Sequence, residues 1–291
     1  MKNRKLIVLG SSGLLGSAIQ RQAENKNVAL LAVSRENIKD LEEKIGSPVS
    51  LLDEVGVSQV DMVINAIGKT KQLIDEDSEQ SVNKAQWLNS IFPHSLAEAC
   101  QSLGARVVQV GTDCVFSGRT GNYSESDKND AKDPYGASKA AGEASEYLEV
   151  IRTSFVGDHP KNNLGLWHWV KNQPKNAKIT GYTNHLWNGA TTDVVAKVLI
   201  SIFANNYPIT EVQHLVPADY VSKYELVKMI ATRSNRDDIN VSPGEADTAK
   251  DMRLATNNAQ TNAALWQLAG FKNAPTIEEM IRQQTTFGAA G

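Results

Sequence analysis

The feature that most constrains this 291-residue chain lies at its start. A short apolar run, Leu6-Ile7-Val8-Leu9, is followed at once by Gly10-Ser11-Ser12-Gly13-Leu14-Leu15-Gly16. The spacing G-x-x-G-x-x-G sits between a strand pattern and a helical pattern. Each glycine meets a separate physical demand. Gly10 permits a tight turn that a Cβ would hinder. Gly13 lets the backbone come close to a pyrophosphate, and Gly16 lets the following helix lie tightly on the sheet. The start of that helix offers N–H groups and a partial positive charge to phosphate. The same letters occur in glycine-rich surface turns. The strand before and the helix after favour a dinucleotide site.

The surrounding pattern supports an α/β fold. Strand candidates at Leu6–Leu9, 28–33, 62–66 and 107–110 alternate with amphipathic segments at 15–24 and 81–103. One more strand is expected at 151–155. Strands separated by helices imply a parallel sheet with crossovers. Leu-Ile-Val-Leu and Val-Val-Gln-Val lack strict alternation, as expected of strands covered on both faces. The predicted architecture is a Rossmann-like, doubly wound parallel sheet over 1–156.

Beyond Val156 the texture changes. A loop-like stretch at 158–165 precedes Trp167, Trp169 and Trp187. Helices are expected at 192–204, at 222–234 and near 276–284. Ser222 is the N-cap of the second, with Glu225 completing a capping box. Thr276 caps the third after Pro275, with Glu278 and Glu279 in its first turn. Residues 157–291 therefore read mainly as a smaller α/β substrate-binding cap, with segments at about 185–205 returning to the core.

Composition removes several functional classes. A net charge of -3 provides no basic footprint, so nucleic acid is not an expected partner. No stretch of about 18 apolar residues is present, so no membrane span is expected. The two cysteines, Cys100 and Cys114, make no disulfide framework and suit a reducing cytoplasm. The scattered histidines have no carboxylate or cysteine at ligand spacing, and no metal site is predicted.

The end of the second strand bears on cofactor choice. It reads Ala32-Val33-Ser34-Arg35-Glu36. An acidic residue there grips the ribose of NAD, while an arginine accommodates the extra phosphate of NADP. Ser34 and Arg35 lie nearer the expected strand end, so NADP(H) is preferred and NAD(H) remains compatible. Asp53 is a candidate for the adenine amino group or, equally, a helix cap. Asn65-Ala66-Ile67-Gly68 closes the strand at 62–66 with small residues against which the nicotinamide end can lie. Asn89 lies in the following helical stretch, either supporting that network or serving as an ordinary helix residue.

Two further motifs carry chemistry. In Asp133-Pro134-Tyr135-Gly136-Ala137-Ser138-Lys139, Pro134 can begin a helix, placing Tyr135 and Lys139 on one face. A neighbouring ammonium stabilises a phenolate and draws tyrosine toward useful proton transfer. Gly111-Thr112-Asp113-Cys114-Val115-Phe116-Ser117-Gly118 follows a strand, where ligands sit in such sheets. The Thr112 hydroxyl can donate to a carbonyl oxygen beside Tyr135, or simply cap the turn. Cys114 reads as a small packing residue.

Together these motifs resemble the extended short-chain dehydrogenase/reductases and, among them, the dTDP-4-dehydrorhamnose reductase family. The resemblance is carried by residues 10–16, 111–118, 121–125, 133–143 and Arg152-Thr153-Ser154-Phe155. It implies that Thr112, Tyr135 and Lys139 catalyse NADPH-dependent reduction of a keto group on a nucleotide-linked deoxy sugar. It also implies a substrate pocket near Asp113, Cys114, Val115 and Phe155. His185, Trp187 and Asn188 are candidates for the same pocket, aromatic faces being suited to sugars or bases, with core packing as the alternative. The family commonly has Tyr at the position of Cys114 and Trp near Phe155. An epimerase or dehydratase that retains its cofactor, and a non-catalytic regulatory subunit, are the other readings. A homodimer is the default expectation for the superfamily.

Overall fold

A computed structural model describes residues 4–34, 60–161, 164–210 and 212–287. Arg35 and Asp53 lie outside the described residues.

The β-branched runs assemble into one parallel sheet. Its strands are β1 (Leu6–Leu9), β2 (Leu30–Val33), β3 (Met62–Asn65), β4 (Arg106–Gly111), β5 (Glu149–Arg152) and, much later in the chain, β10 (Val212–His214). The spatial order is β2-β1-β3-β4-β5-β10. Leu6 and Val8 enter one hydrophobic cluster with Met62, Ile64, Val108 and Ile151. Ile7 and Leu9 enter another with Val63, Val107 and Val150. Successive side chains point to opposite faces, and both faces are dry, which explains the apolar runs.

Helices supply the two outer layers. On the first face lie α1 (Leu14–Asn25) and α6 (Thr192–Asn205). The second is covered by α3 (Phe92–Ser102), whose Phe92, Leu96 and Cys100 are fully buried. On this face α6 packs against α1. The cluster on that face also takes in Trp187, Leu226 and Ile277 from the second half.

The predicted helix at 81–103 is not continuous. It divides into α2 (Glu79–Gln86), a π turn over Trp87–Ile91 and α3. Pro93 explains the break. It has no N–H with which to meet the Asn89 carbonyl one turn earlier, so the ladder widens there. The strand expected at 151–155 also divides. After Arg152 the chain leaves the large sheet, and β6 (Phe155–Val156) pairs instead with β9 (Ala190–Thr191). The Ala190 amide donates to the Ser154 carbonyl at 2.8 Å, which begins that second ladder.

The second half adds two small sheets. β7 (Lys178–Tyr182) pairs with β12 (Asn240–Gly244). β8 (His185–Trp187) lies between β11 (Val221–Ser222) and β13 (Lys250–Asp251). Around them are α5 (Leu166–Lys171), α7 (Lys223–Arg233), α8 (Ala259–Leu268) and α9 (Ile277–Gln283). Both predicted caps form. Ser222 and Glu225 make a reciprocal capping box on α7, and Thr276 does the same with Glu279 on α9. Trp167 is buried on α5 while Trp169 is 46% exposed, so only the first is a core residue. No helix among the described residues is long and apolar enough to cross a membrane.

Candidate active site

The glycine turn occupies the point where the sheet reverses its winding order. The chain runs from β1 outward to β2, then returns to β3 on the other side of β1. Clefts that bind ligands in such sheets open at this reversal. Gly10 adopts φ +80, and a Cβ on it would stand 2.9 Å from the Ala66 carbonyl oxygen. A Cβ on Gly16 would stand 2.2 Å from the Gly10 carbonyl oxygen. The turn is therefore closed by backbone on both sides and admits no larger residue. The Gly10 and Ser11 amides donate to the Val33 carbonyl, tying the turn to β2 and to buried Ser34 beyond it.

This cradle fits a pyrophosphate. Because α1 begins at Leu14, the N–H groups of its first turn have no partner within the helix. Ser12 is exposed and Gly13 half-buried, leaving their backbone accessible, while the Leu15 side chain is in the core. Asn65 is fully buried: its amide donates to Gln109 and its oxygen accepts from the Ile67 amide. That clamp shapes the Asn65-Ala66-Ile67 strand end, where Ala66 and Ile67 remain half-buried.

Thr112, Tyr135 and Lys139 converge beyond the ends of β4 and β5. Asp133 caps α4 (Pro134–Gly142), accepting from the Gly136 amide, and Pro134 opens the helix. Tyr135 and Lys139 then face the sheet together. The Thr112 side chain lies near enough to the Tyr135 phenol to act on its ionisation. Burial raises the Tyr135 phenol above its ordinary range, and the Thr112 contact opposes that rise. Lys139 donates to the Val110 carbonyl at 2.9 Å. Burial lowers its ammonium pKa, while the Glu143 carboxylate one turn further on raises it.

This differs from the expectation that Lys139 draws the phenol down. In the folded chain the dominant influence on Tyr135 is loss of water. Thr112 takes the anticipated capping role: its hydroxyl accepts from the Cys114 amide at 3.2 Å and caps the turn over Asp113–Val115.

Asn89, in the π turn, is buried. Its oxygen accepts from the Lys69 amide at 2.8 Å, and its amide donates to the Lys69 carbonyl and to the Ser138 hydroxyl. It joins the loop after β3 to the helix carrying Tyr135. A polar residue between apolar ones in a proline-terminated helix was the available signal for it.

The expected pocket residues fall into two groups. Asp113 and Cys114 adjoin Thr112, and Trp187 faces the Lys223 ammonium. Burial raises the Asp113 carboxyl pKa, opposed by the Lys223 ammonium and by hydrogen bonds from Cys114, Ser154 and Thr112. Cys114 is pushed up by burial and by Asp113, so its thiol stays protonated. Phe155 is half-buried beside the core.

Val115, by contrast, is fully buried with Phe116, Tyr123 and Leu254 and faces the core. Asn188 clamps the Leu254 backbone at 2.7 and 2.8 Å through its amide and oxygen. That use of both ends makes it a brace for the pocket wall instead of the expected sugar contact. His185 lies against Tyr182, with Nε2 at 3.0 Å from the Thr248 carbonyl.

Sequence reasoning missed Lys223. It is the first residue of α7, its ammonium lies 5.3 Å from the centre of the Trp187 ring, and its charge acts on both Asp113 and Cys114. Nothing in a lone lysine after an N-cap signals this, because its partners come from two distant segments.

A doubly wound sheet with a glycine cradle at the winding reversal and a Thr–Tyr–Lys set at the strand ends defines an NAD(P)-dependent oxidoreductase of the extended short-chain dehydrogenase/reductase type. More particularly, the chain belongs to the RmlD substrate binding domain family, whose model matches residues 4–285.

The chain is 26% identical over 236 residues to the spore coat polysaccharide biosynthesis protein SpsK of Bacillus subtilis (strain 168), covering 79% of each chain. It is 31% identical over 170 residues to a dTDP-4-dehydrorhamnose reductase of Mycobacterium tuberculosis (strain CDC 1551 / Oshkosh), covering 53% of this chain and 51% of that protein. Among solved structures, dTDP-4-dehydrorhamnose reductase from Bacillus anthracis str. Ames in complex with NADP superimposes with a TM-score of 0.74 at 20% identity, covering 97% of this chain and 98% of the other.

Proposed function

We propose that this protein reduces a keto group on a nucleotide-linked deoxy sugar, using NADPH in preference to NADH. The observation that carries the reading is the convergence of Thr112 and Tyr135 with buried Lys139, which donates to the Val110 carbonyl two residues before Thr112. Thr112 orients the carbonyl oxygen. Tyr135, kept protonated by burial, donates the proton as negative charge develops on that oxygen. Lys139 supports Tyr135 and holds the cofactor ribose. The first turn of α1, with Gly10, Ser12, Gly13 and Gly16, holds the pyrophosphate through backbone groups. NADPH, when bound, supplies the hydride.

In this reading residues 1–156 hold the cofactor, and 157–291 mainly hold the sugar nucleotide. The protein is a cytoplasmic homodimer. Supporting the choice of NADP is a relative of the same fold that carries that cofactor, together with Arg35 in the sequence.

The test is NADPH consumption with dTDP-4-dehydrorhamnose and other 4-keto-6-deoxy nucleotide sugars. Turnover by the wild type that collapses in Tyr135→Phe supports the reading. Isomer formation without added NADPH would point instead to an epimerase. An inert chain that captures a stoichiometric enzyme partner would point to a regulatory subunit.

A further inference from the structure

Lys223 and Asp113 carry opposite charges near the catalytic cluster without forming an ion pair. The Lys223 side chain is half-buried at the start of α7, and the Asp113 carboxylate is buried after β4. Each feels the other's charge, yet their separation exceeds salt-bridge contact. Among the described residues Lys223 makes no hydrogen bond; its one recorded contact is the face of Trp187 at 5.3 Å. Asp113 is met only by uncharged donors: the Thr112 hydroxyl at 3.3 Å and the Cys114 thiol at 3.4 Å on the same oxygen, with the Ser154 hydroxyl beside them.

The aromatic surface under Lys223 is held firmly. Trp187 lies so close to Gly189 that a Cβ there would be 2.4 Å from the ring, and the same Cβ would be 2.3 Å from the Ser154 carbonyl. β11 fixes Lys223 beside Trp187 through the pairing of Val221 with Trp187. Reaching Asp113 directly would take the ammonium off that aromatic face.

A partly desolvated ammonium without an acceptor, and a buried carboxylate met only by uncharged donors, are both costly. A single group that accepts from one and donates to the other relieves both. A sugar hydroxyl does this. A second carboxylate would not, because one ammonium and one carboxylate already balance.

We propose that Lys223 is a substrate-specificity residue: together with Asp113 it brackets a hydroxyl of a neutral sugar ring beside the carbon that reacts at Thr112 and Tyr135. Cys114 is small enough to leave room for that ring. The inference rests on the nucleotide-sugar reading above.

Binding isotherms with dTDP and with dTDP-rhamnose test it, measured on full-length wild type, Lys223→Met and Lys223→Arg, each with NADP+ present. Losing a charge-assisted hydrogen bond should weaken dTDP-rhamnose by on the order of ten- to a hundredfold in Lys223→Met. Binding of dTDP alone should not change, and Lys223→Arg should recover part of the loss. The Lys223→Met melting temperature should hold or rise, since an uncompensated, partly desolvated charge is removed. Equal weakening of both ligands, or no weakening of either, overturns the proposal. A wild type that binds neither ligand overturns the nucleotide-sugar reading itself, and this inference falls with it. Wild-type binding that Lys223→Met leaves intact overturns this inference alone.

Discussion

Arg152 donates to the Nε2 atom of His214 at 2.9 Å across 62 residues of chain, joining β5 to β10 behind the catalytic cluster. The same guanidinium pairs with Glu143 at 2.5 Å, and both of those side chains are only 3% exposed. His214 Nδ1 in turn lies 2.7 Å from the Ala255 carbonyl. Because Nε2 accepts from arginine, the ring is neutral with its proton on Nδ1. Burial, then the Arg152 charge, lowers the His214 pKa to about 4.

The consequence is a stability change with pH. Unfolded histidine takes up its proton near pH 6.5, while the folded ring does so near 4. Between these values the unfolded chain binds more protons, so this contribution is present above about pH 6.5 and is lost as pH falls toward 4. Its full size is roughly 3 kcal/mol. Urea unfolding at pH 7.5 and pH 5 should show that the wild type loses more stability than His214→Gln. Parallel curves for the two proteins would contradict this origin.

Tyr135→Phe removes the proton donor while leaving the ring. The expected loss in kcat is about 10²- to 10⁴-fold, with NADPH affinity little changed. Thr112→Val should lower kcat as well, but it also removes the acceptor for the Cys114 amide. A melting temperature measured beside the kinetics separates the two effects. Retained kcat in Tyr135→Phe would remove Tyr135 from the mechanism.

Gly16→Ala places a methyl group 2.2 Å from the Gly10 carbonyl oxygen and 2.7 Å from Ser11 Cα. Both obstacles are backbone, so the turn itself must shift. Overpacking of this kind costs about 1–3 kcal/mol. NADPH fluorescence titration should show affinity reduced by about tenfold or more, and circular dichroism should show the fold retained. Unchanged affinity would mean that this turn is not the phosphate site.

Ser222→Ala removes one half of the capping box on α7. The expected cost is about 1 kcal/mol, read from urea unfolding. Since Lys223 follows directly, the same variant should weaken dTDP-rhamnose more than dTDP if the start of α7 shapes the sugar pocket.

How much of this was legible beforehand varies with the range of the interaction. The caps at Ser222 and Thr276 are readable because cap and third residue lie within one turn. The π turn at Asn89 was missed although Pro93 was in view. A proline in a helical pattern signals a lost donor, but not whether the helix ends or widens. The break after Arg152 was equally hidden, because residues 151–155 are uniformly strand-forming. It is the partner strand β9, nearly forty residues later, that draws Phe155 away from the large sheet.

By itself the sequence determined the strand, the glycine turn at Gly10–Gly16 and the helix that follows, together with the shared helix face of Tyr135 and Lys139. These depend on backbone sterics and helical periodicity, which act between near neighbours. Only the tertiary structure decided that the turn lies at the reversal of the winding order, that Thr112 meets Tyr135, and that Lys223 stands over Trp187 near Asp113. Those relationships join segments up to about a hundred residues apart. They arise from how helices and strands bury their apolar faces together, and no local pattern of residues encodes that outcome.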